Sequence, residues 1–105
     1  MNAISVAVDT LFSDRNLGRD AVWKSGGVGS GVAVRVVMKS PDQVVGFGES
    51  RAVVPTVLID VRRADVPTPA SGDTVEIDGE TFAVIATPII DAERLVWTCE
   101  AFLQD

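Results

Sequence analysis

The sequence predicts a mostly β domain: an antiparallel β-sandwich or small barrel of five to seven strands, with a short N-terminal α-helix and a long flexible loop. Two observations carry this. Apolar and polar residues alternate with period two over several short segments, as half-buried strands require. Turn chemistry separates these segments, including an Asp78-Gly79 pair that suits a type I′ hairpin, and no long helical pattern lies between them as a parallel crossover would need.

The first element is helical. Within residues 1–18, segment 3–15 places Ile4, Val8, Leu11 and Phe12 on one helical stripe, with Asn2 as a candidate cap and Gly18 beyond the end. Residues 19–31 read as irregular, with Trp23 in at most a short strand. The glycine run at 26–31 lacks the Lys-Ser/Thr ending of a phosphate loop and leads into a strand, not a helix, so it reads as a flexible turn. Residues 32–39 put Val32, Val34, Val36 and Met38 on one face. Residues 40–55 form the long loop, opened by Ser40-Pro41-Asp42 and carrying Val44, Val45, Phe47, Glu49, Arg51, Val53 and Val54. The β core continues at 56–63, 73–78, 81–87 and 94–102, with Pro67 and Pro69 stiffening one connection. One domain, residues 1–105, accommodates all of it.

Composition narrows the function. The formal net charge is −6, unevenly distributed: residues 72–105 hold eight acids and one base, whereas residues 1–71 hold seven acids and eight bases. A phosphate-gripping surface needs clustered Lys and Arg, so specific nucleic-acid binding is not expected. The acidic part suits a docking face for a basic partner or a surface that repels DNA. No stretch has the length and apolarity of a membrane span, and Met1 to Asp14 lacks the basic flank of a signal peptide, so the chain is expected to fold in a cytoplasm.

The chain contains no histidine and a single cysteine, Cys99. Triads built on histidine and the ordinary structural zinc sites are therefore not available within one chain. Cys99 alternates with Trp97 and Ala101 and reads as a buried strand residue. Glu76, Asp78 and Glu80 crowd one hairpin, but Glu76 and Asp78 alternate with Val75 and Ile77 and read as a solvated acidic face. No catalytic residue, cofactor or metal is expected. A binding role is, with the loop residues Val44, Val45, Phe47, Glu49, Arg51, Val53 and Val54 and the hairpin acids Glu76, Asp78 and Glu80 as candidate protein contacts.

The run Val57-Leu58-Ile59-Asp60-Val61-Arg62-Arg63, the linker Ala64-Asp65-Val66-Pro67 and the hairpin Gly72-Asp73-Thr74-Val75-Glu76-Ile77-Asp78-Gly79-Glu80-Thr81-Phe82-Ala83-Val84 resemble the small head–tail joining (stopper or attachment-type) proteins of tailed bacteriophages and prophages. The order of helix, Gly-rich stretch, strand, long loop and β core is similar too. The resemblance implies a non-enzymatic virion protein, assembled in the host cytoplasm. It would join the connector of a DNA-filled head to the tail, with portal or adaptor proteins and tail proteins as partners. It would be a monomer alone and a hexameric ring around the DNA channel in the particle. The family's loop corresponds to residues 40–55, expected to line the channel or reach a neighbouring subunit. Two alternatives stay open: a tail terminator or tail-completion protein with a related fold, and an unrelated cytoplasmic β-barrel binding module.

Overall fold

The computed structural model describes residues 3–39 and 56–104. A helix, α1 (Ala3–Ser13), precedes seven strands: β1 (Arg19–Lys24), β2 (Val32–Lys39), β3 (Thr56–Arg62), β4 (Thr74–Ile77), β5 (Glu80–Val84), β6 (Ile89–Ile90) and β7 (Val96–Leu103). All pairings are antiparallel. The strand order is β3-β2-β1-β4-β5-β7-β6, and an additional β3–β7 pairing closes six of the strands into a barrel, with β6 as an extra strand on β7. Of the two architectures predicted, the chain adopts the barrel.

Closure arises from the residue pattern. Ala21, Trp23, Val34, Val36, Ile59, Val61, Val75, Ile77, Phe82, Val84, Cys99 and Ala101 alternate along their strands and meet inside as one buried cluster. The β3–β7 seam runs from Thr56↔Phe102 to Arg62↔Val96, so two strands far apart in sequence close the sheet on itself. The connection from β3 to β4 crosses one end of the barrel, where Val66 joins the core.

The clearest hairpin in the sequence is also the most regular in the fold. Ile77 pairs with Glu80, leaving Asp78 and Gly79 as a two-residue loop with φ of 53° and 83°. Positive φ at both central positions is the type I′ geometry, which matches the twist of the flanking strands.

Three differences from the sequence reading have physical causes. Residues 19–31 are not irregular throughout: β1 lies inside the barrel wall, bonded to β2 on one side and β4 on the other. It offers only Ala21 and Trp23 to the core, too few inward residues for a visible alternation. The glycine run after it is the β1–β2 connection, begun by a 3₁₀ turn at Ser25–Gly27. The return strand reaches only Val84 rather than residue 87; Ile85 bonds Glu100, and the chain bends before β6 picks up β7 again at Ile89↔Thr98. The last strand starts at Val96 rather than residue 94, because Asp91 organises the turn: its Oδ1 accepts the Leu95 and Val96 amides.

One acid holds the β1 end of the barrel together. Asp73 is only 4% exposed, and its carboxylate accepts three hydrogen bonds. Oδ2 takes Trp23 Nε1 at 3.0 Å and the Ala70 amide at 2.9 Å, and Oδ1 takes the Gly26 amide at 2.8 Å. The bonds tie β1, the glycine turn and the β3–β4 connection to a single side chain. Trp97 Nε1, by contrast, is buried without a hydrogen-bond partner among the described residues.

Removing the Asp73 carboxylate strands three donors, so Asp73→Ala is expected to cost about 2–5 kcal/mol in chemical denaturation. Trp23→Phe should cost more than Trp97→Phe, since only the first breaks a bond. Equal costs would show that the Trp23–Asp73 bond adds nothing.

Candidate docking site

Strand direction brings the two residues that flank segment 40–55 and the hairpin of Glu76, Asp78 and Glu80 to one end of the barrel. β2 ends there at Lys39, β3 begins there at Thr56, the Asp78-Gly79 turn lies there, and β7 ends there at Leu103. Segment 40–55 is thus rooted on the same end as the acidic turn. Its candidate contacts Val44, Val45, Phe47, Glu49, Arg51, Val53 and Val54 lie outside the described residues.

The hairpin acids differ from one another in a way that the sequence does not show. Glu76 receives Lys24 Nζ at 3.0 Å, and Asp78 receives Arg19 Nη1 at 2.9 Å. Both bases come from β1, which pairs with β4 through Val22↔Glu76 and places the opposite charges side by side. The charge of these two acids is balanced within the fold. Glu80 is exposed, with no ion pair or side-chain hydrogen bond to any described residue. Asp73 is buried and the exposed Asp91 accepts the Leu95 and Val96 amides, so the acids after residue 72 differ in their surroundings.

The sequence places Arg35 and Arg62 on the outward faces of their strands but assigns neither a role. On the outer wall, Arg35 donates Nε to the Phe12 carbonyl at 2.8 Å and Nη1 to Asp20 at 2.9 Å. Arg62 donates Nη2 to Asp65 at 2.8 Å and Nη1 to Asp9 at 3.3 Å, and its guanidinium sits 5.3 Å from the centre of the Phe12 ring. Their only signal in sequence is a basic residue at an outward strand position, which ordinarily means solvent. Beside them runs an open groove of about 440 Å³, lined by Val8, Leu11, Leu17, Val37 and Val96 and flanked by the Lys39–Asp60 ion pair.

Among the described residues, no three His, Cys, Asp or Glu side chains stand close enough to share a metal ion. Cys99 is wholly buried. Burial, with smaller contributions from the charges of Asp60 and Asp73, pushes its thiol from the ordinary 9.0 up to about 12. A protonated, enclosed thiol is neither nucleophile nor ligand at neutral pH. No described helix is long and apolar enough to cross a membrane.

The fold is a closed antiparallel barrel with one short helix on its outer wall. The family model described as Phage Head-Tail Attachment protein matches residues 1–101, and the chain belongs to that family. It is a structural protein of the phage particle, placed at the junction of head and tail, where it meets components of both. No curated protein matches the chain.

Two measurements test these assignments. Glu80→Lys is expected to leave stability within about 0.5 kcal/mol, whereas Glu76→Lys sets like charges against Lys24 and should cost roughly 1 kcal/mol. The raised Cys99 pKa favours the folded state below pH 9 and loses that contribution as pH climbs toward 12, because the unfolded thiol ionises first. The stability of the wild type relative to Cys99→Ala should therefore fall across that window, and a flat difference would contradict the assignment.

Proposed function

We propose that this protein is a non-enzymatic joint that completes the connector of a DNA-filled head and presents the surface on which the tail docks. The family match over residues 1–101 carries the reading. Within it, the protein is monomeric alone and forms a hexameric ring around the DNA channel in the particle, after assembly in the host cytoplasm. Portal or adaptor proteins contact it on one side and tail proteins on the other.

Two features of the chain support a docking role. A closed barrel has no long free edge onto which another strand can add, so contacts must come from side chains and from segments that leave the barrel. Segment 40–55 leaves it at the end that carries Glu80, and its Val44, Val45, Phe47, Val53 and Val54 supply apolar contact residues beside Glu49 and Arg51. Glu76 and Asp78 then act by holding the turn to β1, and Glu80 faces the partner. DNA passes without specific contact, in keeping with a net charge of −6.

Electron microscopy of particles made with and without the gene decides the reading. Full heads beside unattached tails are expected when it is absent. Heads with normal tails would overturn the proposal, and aberrant tails would move the protein to the tail-terminator or tail-completion class. Removing residues 43–54 should leave the barrel folded, since Lys39 already pairs with Leu58, but should block tail attachment. Normal tailed particles from that variant would exclude the segment as the contact.

A further inference from the structure

We propose that α1 is a latch: it opens as a unit at a free energy well below that of barrel unfolding, and its opening bares the outer wall of β2 and β3 with the arginine pair Arg35 and Arg62.

The helix is held at few points. Of its eleven residues only Phe12 is buried, while Ile4, Val6 and Leu11 are each close to half exposed. An eleven-residue helix is marginal in water by itself, so packing must supply its stability. That packing is loose. Val8, Leu11, Val37 and Val96 line one open groove of about 440 Å³, and none of the four is fully buried, so the helix gains little apolar burial there.

What remains is a polar clasp around one ring. Arg35 bonds the Phe12 carbonyl at 2.8 Å and the Asp14 carbonyl at 3.2 Å, gripping the C-terminal end of the helix where a cation opposes its dipole. Arg62 lies over the Phe12 ring and reaches Asp9 at 3.3 Å. The Asp9 side chain is 55% exposed, so this ion pair is weak and easily exchanged for water. Gly18 permits the close approach: a Cβ there would collide with the Phe12 carbonyl oxygen.

The barrel is indifferent to the latch. Phe12 is not part of the core cluster, whose members all come from the strands and Val66. Each arginine also keeps a partner when the helix leaves, Asp20 for Arg35 and Asp65 for Arg62. Opening frees three guanidinium bonds and the face that Phe12 covered without leaving an unpaired buried charge. The latch is independent of the head–tail reading, because the isolated chain suffices to test it.

Native-state hydrogen exchange resolved by residue is the test, on wild type and on Phe12→Ala. In the wild type, amides of residues 7–13 are expected to exchange at least about a hundredfold faster, relative to their intrinsic rates, than the central amides of β2, β3 and β7. Their rates should change little with low denaturant, as local opening exposes little surface. Phe12→Ala should speed the helix amides further and leave the barrel amides unchanged. Helix amides that exchange only with the barrel, or a variant that lowers both together, would show that α1 is an integral part of the folded unit.

Discussion

The β3–β7 seam is the constraint on which the rest of this structure depends. Every other barrel pairing joins strands through the sheet order β3-β2-β1-β4-β5-β7, and without the seam that sheet would be an open ribbon with two exposed edges. The seam turns Ile59, Val61, Cys99 and Ala101 inward together and removes them wholly from solvent. It also satisfies the edge amides and carbonyls that would otherwise invite other chains. A small protein that must meet several partners without aggregating gains from such closure.

Closure leaves the two barrel ends with different tasks. At one end, Val66 fills the opening and Asp73 binds Trp23, Gly26 and Ala70, so this end is fixed by burial and a satisfied carboxylate. At the other, the tight Asp78-Gly79 turn sits beside the points where segment 40–55 departs and returns. The first end is closed by buried side chains, and the exposed Glu80 stands at the end where contact with head and tail components is proposed. The helix belongs to neither end. It lies on the outer wall, fastened by an aromatic ring and two arginines.

Membership of the head–tail attachment family and the physics of the chain are mutually consistent. A protein that acts through surfaces needs a stable carrier and no reactive groups on it, and the one thiol is enclosed and kept protonated. Individual acids are paired within the fold, Glu76 with Lys24, Asp78 with Arg19 and Asp60 with Lys39, while the formal net charge stays at −6. The net charge of −6 does not favour a grip on DNA phosphates.

The sequence by itself determined the elements whose information is local. The period-two runs in β2 and β3 and the Asp78-Gly79 turn are legible because alternation and turn chemistry act between near neighbours. The head–tail resemblance was legible too, in the run from Val57 to Val84. Only the tertiary structure decided the rest. β1 is a full member of the wall, yet its two inward residues give no pattern to read. The choice of barrel over sandwich rests on β3 meeting β7 across some forty residues, which no local signal encodes. Asp73, Glu76 and Asp78 look alike in a row of acids. One is a buried hub, and two are neutralised by β1. The partners that set these roles lie about fifty residues away, and residues so distant in sequence acquire their meaning only when folding brings them within a few ångströms.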